Sequence, residues 1–269
     1  MNQANEITLF VIIGITVMFL FFISFLTAIT ISQRKRIKFH KSMQALREQQ
    51  QNQLIESAVK SEETERHRIA ETLHDEVGAI LSSAKLHLLG IRESSLDEKD
   101  KILHEKGRVL LNEVIQKVRG ISHNLHSNIL KEFGLNEAIR HFLGKVTGGT
   151  AIQATTRLDD TYRTSNEEQD ISIYRVVQEL VNNILKYAKA TELLISSVLE
   201  NGHLQLGIYH NGDGLSQERF EELRYQKEGL GLKNIQNRMI LLRGSIQFNR
   251  SAGECRVDIR VPVKNQHHE

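Results

Sequence analysis

The longest uninterrupted apolar stretch lies near the start of the chain. Residues 7–31 contain no charged side chain and consist mainly of Phe, Ile, Leu and Val. A helix of about 25 residues is about 37 Å long, which exceeds the roughly 30 Å hydrocarbon core of a bilayer. The stretch is longer than a buried soluble helix usually is, and it lacks the basic start and the small-residue cleavage site of a signal peptide. The pattern therefore predicts a transmembrane anchor over residues 1–33.

Basic residues follow this stretch directly. They are Arg34, Lys35, Arg36, Lys38 and Lys41. Because cytoplasmic flanks of membrane helices are enriched in Lys and Arg, the chain after the anchor is expected in the cytoplasm, with residues 1–6 on the other side. The sequence thus predicts a single-pass protein of the cytoplasmic (inner) membrane.

A polar segment rich in Gln and Glu continues to about residue 70, with sparse apolar positions. A flexible tether is the alternative, but the segment contains no Gly or Pro, so a helix is favoured. We expect a juxtamembrane coiled-coil helix over residues 34–63 that pairs in a dimer.

Apolar residues then recur at helical spacing and define a face. The first helix is expected to end near Gly90, a polar turn covers residues 93–100, and a second amphipathic helix follows. Two such helices form a hairpin, and two copies would bury their apolar faces as a four-helix bundle over residues 64–145. A short helix over residues 132–143 leads to the next domain. The apolar positions of the two hairpin helices are Ala70, Leu73, Val77, Ile80 and Ala84, and Leu103, Leu110, Val114, Val118, Ile121 and Leu125.

The pattern changes after Gly148-Gly149-Thr150, where strand-like runs begin to alternate with helices. Period-two alternation and the Asn201-Gly202 dipeptide indicate antiparallel strands joined by a hairpin turn. We predict an α+β domain over residues 146–269. Its strands are expected at 151–157, 193–199, 204–209, 245–249 and 257–261.

His74 and Asp75 are the first candidates for chemistry. His74 lies at the margin of the apolar stripe of its helix, so one ring nitrogen could face a visiting molecule while Asp75 orients the ring. A marginal core histidine is the simpler interpretation of this pair taken alone. A metal phosphohydrolase site would need further ligands, which the neighbouring histidines do not supply.

A second group of candidates lies in the α+β domain. Glu179, Asn183 and Lys186 share one stripe of a helix predicted over 173–188, where they could bind Mg²⁺ and phosphate or form an ordinary solvated face. Two glycine-rich turns accompany this stripe. They are His210-Asn-Gly212-Asp-Gly214, after a strand, and Gly229-Leu-Gly231-Leu232, opening a helix. Free amides at a helix N-terminus suit phosphate oxygens, although neither a dinucleotide fingerprint nor a P-loop is present.

Composition adds little beyond this picture. The net charge is +2, and no basic arm with interleaved aromatic residues is present, so direct nucleic-acid binding is not expected. Cys255 is the single cysteine, which excludes an internal disulfide and fits a reducing compartment. Pro262 is the single proline, which suits long helices.

Taken together, these motifs resemble a two-component sensor histidine kinase of the nitrate-sensor-like subfamily with a His-Asp phosphoacceptor. The resemblance covers about residues 60–262 and includes Val118–His126, Gly134–Ile139 and Tyr174–Glu179. It implies a helical N-terminal half followed by an ATP-binding sandwich of the GHKL type. It also implies a homodimer, and transfer of the phosphoryl group to the aspartate of a response regulator, for which a DNA-binding transcription factor is one candidate.

The resemblance assigns a role to each candidate residue. His74 would attack the γ-phosphate of ATP, and Asp75 would accept the proton or hold the tautomer. Asn183 would ligate Mg²⁺ with Glu179 nearby, and Lys186 would contact phosphate. The implied nucleotide contacts are Gly212 and Gly214 at adenine, Gly229, Gly231 and Leu232 at the phosphates, and a short lid over residues 215–228.

The chain departs from the family pattern at two positions. His210 stands where the family usually has an Asp that accepts a hydrogen bond from adenine; a neutral histidine can also accept one, so nucleotide binding is expected to weaken at acid pH. Ala79 stands where a Gln or His would position water, so weak phosphatase activity is expected. A pseudokinase or membrane scaffold with weak nucleotide binding, and a coiled-coil adaptor without chemistry, are the rival interpretations.

Overall fold

The computed structural model describes residues 3–92, 96–125, 128–163, 166–226, 229–251 and 253–263. The chain divides into two units, Met1–Leu54 and Ile55–Glu269. In the first unit the described apolar side chains between residues 12 and 31 are exposed. Among the described residues, one helix is long and apolar enough to cross a membrane, with a mean hydropathy of 2.3 in its most apolar window. This helix contains the apolar stretch seen in the sequence.

Helix α1 spans Gln3–Thr72, so the polar segment after residue 41 is helical, as predicted. A π-helical turn, Leu73–Val77, connects it to α2, Gly78–Leu89, and α3 spans Glu98–Leu125. The predicted turn over residues 93–100 falls partly on residues 93–95, which lie outside the described residues, and α3 already begins within it. The hairpin is fixed where the Ser122 hydroxyl donates to the Ala70 carbonyl at 3.0 Å and His104 Nε2 donates to the Leu88 carbonyl at 2.8 Å.

Helix α4, Asn128–Thr147, is interrupted at Gly134, whose φ of 79° and ψ of 178° are not helical. A positive φ is readily adopted only by glycine, so this residue lets the chain bend within the element. Beyond the bend, α4 packs against α5, Glu167–Asn183, and contributes Leu135, Ile139 and Phe142 to the core of the C-terminal domain. The short helix predicted over residues 132–143 is thus part of a longer element, Asn128–Thr147, which bends at Gly134. Its second part belongs to the core of the C-terminal domain.

The described residues contain five strands, β1 Gln153–Arg157, β2 Glu192–Glu200, β3 His203–His210, β4 Ser245–Ser251 and β5 Glu254–Pro262. They form one sheet in the order β1-β2-β3-β5-β4. The β1–β2 pair is parallel and the other pairs are antiparallel, including β4–β5, whose alternation predicted antiparallel strands, and β2–β3, which flank the Asn201-Gly202 dipeptide. Asn201 and Gly202 have φ of 50° and 71°, as the predicted two-residue hairpin turn requires.

One face of the sheet is covered by helices. Leu204, Leu206 and Ile208 of β3 are buried while Gln205 between them is exposed, so alternate side chains point into a shared core. This core also receives α4, α5 and α7, Leu230–Leu241. The fold predicted for this half of the chain, a sheet packed against helices, is confirmed.

The segment predicted as a lid contains a short helix, α6, Gln217–Leu223. Phe220 of this helix is fully buried and stacks on Phe248 with ring centroids 4.6 Å apart. Residues 227–228 of the predicted lid lie outside the described residues. The start of the segment is therefore fixed to the sheet by an aromatic contact.

Candidate active site

The first candidate group lies in the π-helical turn between α1 and α2. The His74 imidazole is 74% exposed, and its Nδ1 lies 2.8 Å from Asp75 Oδ1, whose side chain is 66% exposed. Because a carboxylate only accepts hydrogen bonds, Nδ1 carries the proton in this contact, which leaves a lone pair on Nε2. Single π-turns within helices are frequent at functional sites. The turn thus presents the imidazole to solvent, more openly than a side chain at the margin of the apolar stripe would be presented.

His210 ends β3 on the helix-covered face of the sheet, in register with Leu204, Leu206 and Ile208. The residue is buried, and within the described part of the chain its buried Nδ1 has no hydrogen-bond partner. Burial lowers the pKa of the His210 imidazole, because the cationic form loses its hydration. The neutral ring therefore lies at the edge of the core with a nitrogen that is shielded from solvent and has no protein partner among the described residues.

The glycines after His210 are required by close approaches of the protein to itself. A Cβ on Gly212 would lie 2.1 Å from the Ala188 carbonyl oxygen, and a Cβ on Gly214 would lie 2.1 Å from Cys255 Sγ. The Asp213 amide donates to the Ala188 carbonyl at 2.7 Å, which joins this loop to the end of Ile184–Ala188, the π-helical turn that continues α5. The role of these glycines at adenine stays a prediction. In the structure their missing side chains allow the loop after β3 to pack closely against Ala188 and against Cys255 of β5.

Gly229 and Gly231 lie at the N-terminus of α7, as the sequence predicted. A Cβ on Gly229 would lie 1.8 Å from the Leu223 carbonyl oxygen, and a Cβ on Gly231 would lie 1.9 Å from Glu179 Oε1. The structure therefore brings the Glu179 carboxylate of α5 to the first turn of α7. An anion is favourable at this position because the helix N-terminus carries partial positive charge.

The remaining candidates lie on or near the same helices. Asn183 is half-buried at the last position of α5, and Leu232 is partly buried against the core. Lys186 lies in a second π-helical turn, Ile184–Ala188, where it is exposed with its ammonium 5.0 Å from the centre of the Tyr187 ring. Glu179 and Gly231 are thus brought together, and His210 joins Gly212 and Gly214, whereas the Lys186 side chain is turned to Tyr187.

Cys255 is a site residue that sequence reasoning missed. It lies directly opposite His210 in the β3–β5 ladder, it is buried, and its thiol approaches the Gly212 carbonyl at 3.5 Å. Burial raises the pKa of this thiol, so it is a neutral group in the wall of the site. The period-two pattern of Val257, Ile259 and Val261 extends back to 255 and could have placed it on the inner face.

A cleft of about 600 Å³ opens beside this cluster. It is lined by the end of the π-helical turn after α5, by the loop after β3 and by the turn between β4 and β5. The lining residues include Ala188, Gly212, Asp213 and Cys255. The oxygens of Glu179 and Asn183 are of the kind that divalent cations bind, but neither residue lines this cleft, and Glu179 lines a second cavity instead.

The state of His210 gives a pH prediction. Since its pKa is lowered, the imidazole stays neutral down to and below its ordinary value of about 6.5. We expect nucleotide affinity to be constant between pH 8 and about pH 6.5 and to fall at lower pH, when the cation can no longer accept a hydrogen bond. Titration with a fluorescent ATP analogue from pH 8 to pH 5.5 measures this.

His210→Gln is the matched control. Because an amide does not titrate in this range, the affinity of this variant for the ATP analogue should remain constant through the acid range. The free energy of unfolding should change with pH in the same direction as the affinity. The contribution of the neutral His210 ring is fully present above about pH 6.5 and is lost at lower pH, where the unfolded chain takes up the proton. A decline of wild-type affinity already between pH 8 and pH 7 would contradict the assignment.

Two protein-family models match the chain. The model described as histidine kinase covers residues 65–130, and the model described as histidine kinase-, DNA gyrase B-, and HSP90-like ATPase covers residues 168–265. The first contains His74 and Asp75, and the second contains the glycine-rich turns and the α5 candidates. The two candidate groups therefore coincide with two family regions that follow each other in one chain.

Curated relatives carry both regions. The sensor histidine kinase MctS of Rhizobium johnstonii is 28% identical over 215 residues, covering 78% of this chain and 45% of that protein. The oxygen sensor histidine kinase NreB of Staphylococcus carnosus is 25% identical over 219 residues, covering 79% of this chain and 60% of that protein. The chain thus spans only about half the length of these relatives.

Among solved structures, the histidine kinase AdeS of Acinetobacter baumannii aligns with a TM-score of 0.42 at 20% identity, covering 70% of this chain and 95% of that one. The assignment itself follows from the two family regions, their order and the curated relatives. On that evidence the chain belongs to the two-component sensor histidine kinases with a HisKA_3-type phosphoacceptor region and a GHKL-type ATPase domain.

Proposed function

We propose that this chain is a membrane-anchored protein-histidine kinase that phosphorylates His74 from ATP and passes the phosphoryl group to an aspartate of a response regulator. The observation that carries the proposal is the geometry at residue 74. The imidazole is largely exposed, and Asp75 engages Nδ1 at 2.8 Å, so Nε2 is the nitrogen left to act as the nucleophile.

The transfer can be written from this geometry. His74 Nε2 attacks the γ-phosphorus of ATP, a nitrogen–phosphorus bond forms, and the bond from phosphorus to the leaving oxygen of ADP breaks. The ring gains positive charge, and the adjacent Asp75 carboxylate stabilises it or accepts the Nδ1 proton. Asp75 thus acts both before transfer, by fixing the tautomer, and after it.

The nucleotide is proposed to bind in the C-terminal domain. His210 Nδ1 accepts a hydrogen bond from the base, beside Gly212 and Gly214. The amides at Gly229, Gly231 and Leu232 receive phosphate oxygens. The support is the buried, unpartnered Nδ1 of His210 and the N-terminus of α7, where the N-cap Gly229 makes no side-chain cap hydrogen bond.

Mg²⁺ is proposed to be held by Asn183 and Glu179, where it would neutralise phosphate charge. The support is the hard oxygen chemistry of these two side chains, and the approach of the Glu179 carboxylate to Gly231 at the start of α7. Lys186 is proposed as an outer phosphate contact, which its side chain would reach by leaving the Tyr187 ring.

The dimer is proposed to form through the hairpin. Exposed apolar side chains run along α2 and α3, including Ile80, Leu86, Leu103 and Leu110, which are 58–70% exposed. An apolar face of this length is unfavourable in water, and a second hairpin would cover it in a four-helix bundle. Anchoring by the apolar part of α1 is proposed on its length, composition and basic flank.

One experiment tests the central proposal. The full chain in detergent micelles is incubated with γ-labelled ATP and Mg²⁺, and the label on the protein is tested for chemical stability. We expect a label that acid removes and base does not, as for a phosphorylated imidazole. A protein that binds nucleotide but never acquires label would instead favour the scaffold interpretation, which His210 motivates.

A smaller prediction concerns Ala79, which is exposed on the first turn of α2 near His74. A methyl group cannot position water, so dephosphorylation of the phosphorylated regulator should be slow. Ala79→Gln adds an amide that can hold water, and we expect at least a severalfold faster loss of phosphate from the regulator. Ala79→Leu, which adds comparable bulk without hydrogen-bonding atoms, should leave the slow rate unchanged. Equal rates for the wild type and the Gln variant would refute the prediction.

A further inference from the structure

Strand β4 lies at the edge of the sheet, and a side chain of α6 caps one of its backbone amides. The strand order ends in β5-β4, so within the described residues β4 has a strand neighbour on one side only. The amide of Phe248 donates to Gln217 Oε1 at 3.1 Å. Because edge strands present unpaired backbone groups, this side chain supplies the acceptor that a further strand would otherwise supply.

Both ends of the Gln217 amide are used. Its Nε2 donates to Glu221 Oε1 at 3.2 Å, one turn further along α6. Glu221 in turn forms an ion pair with Arg224, which directly follows the last residue of that helix. The amide is therefore held in one orientation, with its oxygen directed to the strand and its nitrogen to the carboxylate.

A second contact joins α6 to the same residue of β4. The Phe220 ring is fully buried and stacks on the Phe248 ring with the centroids 4.6 Å apart and the ring planes at 28°. Apolar contact is non-directional, so stacking alone would let the helix shift over the strand. A hydrogen bond to a backbone amide requires a narrow range of distance and angle, so the Gln217 contact fixes one position.

The C-terminal end of α6 contacts the start of α7. A Cβ on Gly229 would lie 1.8 Å from the Leu223 carbonyl oxygen, so the N-cap residue of α7 packs against the last residue of α6. On the other side, a Cβ on Gly231 would lie 1.9 Å from Glu179 Oε1. The first turn of α7, whose amides are the proposed phosphate ligands, therefore lies between α6 and α5.

We infer that Gln217 is a positioning residue for the triphosphate of the nucleotide. By fixing α6 on β4 it fixes the Leu223 carbonyl, and through that carbonyl it fixes where α7 begins at Gly229. A shift of α6 would move the amides that receive phosphate oxygens, and such hydrogen bonds weaken steeply with distance and angle. This inference rests on the proposed function, because it takes the start of α7 as the phosphate site.

The base side of the proposed site is held by other contacts. Gly212 packs against Ala188, and Gly214 packs against Cys255. Neither of these contacts involves α6 or β4. Loss of the Gln217 hydrogen bond should therefore weaken binding of the triphosphate and spare binding of the base, whereas a general loss of stability would weaken both in the same proportion.

The test compares Gln217→Met with the wild type, as full chains in detergent micelles. Methionine keeps the length of the side chain, but its sulfur is only a weak acceptor. ATP affinity is measured by calorimetry with Mg²⁺ present, and adenosine affinity is measured by ligand-observed NMR titration. We expect ATP affinity to fall at least about fivefold and adenosine affinity to stay within about twofold of the wild type. Amide hydrogen exchange over β4 should become faster.

Three further variants accompany this one. Gln217→Asn keeps an amide but is one methylene shorter, so it should show the same selective loss, and it replaces Gln217→Met if that variant does not fold. Gln217→Glu keeps an oxygen that can accept from the Phe248 amide, and it should recover most of the ATP affinity. Gln247→Met is the matched control, because it makes the same change at an exposed position of β4 and should alter neither affinity.

The outcomes separate this inference from the kinase assignment, for which labelling of His74 is followed in parallel. Equal losses of ATP and adenosine affinity in the Gln217→Met and Gln217→Asn variants, or no loss of either, would overturn the positioning role even if the wild type is labelled normally. A wild type that binds ATP but acquires no label would refute the kinase proposal, while the selective loss would still support the role of Gln217. A wild type that binds no ATP would refute both.

Discussion

Replacing His74 by glutamine is expected to abolish the acid-labile label completely. Glutamine keeps a polar side chain of similar reach in the π-helical turn, but its amide nitrogen has no nucleophilic lone pair. The change touches an exposed residue whose structural contact is with its neighbour Asp75, so folding and nucleotide binding should be retained. The amount of labelled protein is measured after denaturing electrophoresis, and the affinity for ATP is measured in parallel.

His87→Gln is the matched control for this substitution. His87 is also an exposed histidine of the hairpin, in the last turn of α2, and its loss should leave labelling intact. Residual label of the same chemical stability in the His74 variant would mean that another histidine accepts the phosphoryl group. The phosphoacceptor assignment would then be wrong, even though the chain would still be a kinase.

Substituting Gly212 by alanine is expected to reduce nucleotide affinity by at least about tenfold, which corresponds to about 1.4 kcal/mol of binding free energy. The added Cβ would lie 2.1 Å from the Ala188 carbonyl oxygen and 2.8 Å from the Ala190 amide nitrogen. Both are backbone atoms, so the loop after β3 must move away from the end of the π-helical turn after α5. That movement would break the Asp213–Ala188 hydrogen bond and displace the cleft beside His210 and Cys255.

The same clash should lower the free energy of unfolding by about 1–3 kcal/mol, as for other overpacked sites. Gly144→Ala is the control: it lies in α4 of the same domain, and apart from the adjoining backbone of its own helix no described atom lies within 4 Å of the added methyl group. That variant should bind nucleotide normally and be slightly more stable, because alanine favours helix. Wild-type affinity in Gly212→Ala, measured by calorimetry, would place the nucleotide away from this loop.

The strands were readily predicted because period-two burial is a local property. The sequence pattern located all five, with the largest error at the start of β5, which begins at Glu254 rather than Val257. That error hid Cys255, a residue that the tertiary structure places opposite His210. The helix over residues 173–188 was also anticipated, but its last turn is π-helical, which a spacing argument based on 3.6 residues per turn does not distinguish.

Pairings between distant segments could not be predicted in the same way. Glu179 and Gly231 are separated by about fifty residues, and only the packing of α5 beside α7 shows why a side chain at 231 would meet a carboxylate. Likewise, nothing in the local pattern of α6 distinguishes Gln217 from the other polar residues of that helix. Its proposed role follows from the Phe248 amide, which only the packing of α6 on β4 brings within reach.

By itself, the sequence determined the long apolar helix, the helical hairpin with its His-Asp pair, the sheet domain and the family, because each follows from short-range periodicity or from motifs in order. The tertiary structure alone decided that His74 is exposed, that His210 is buried with an unpartnered nitrogen, and that Gln217 caps the edge of the sheet. The physical reason is that burial and hydrogen bonding between side chains and distant backbone depend on which surfaces meet, and residues far apart in the chain supply those surfaces.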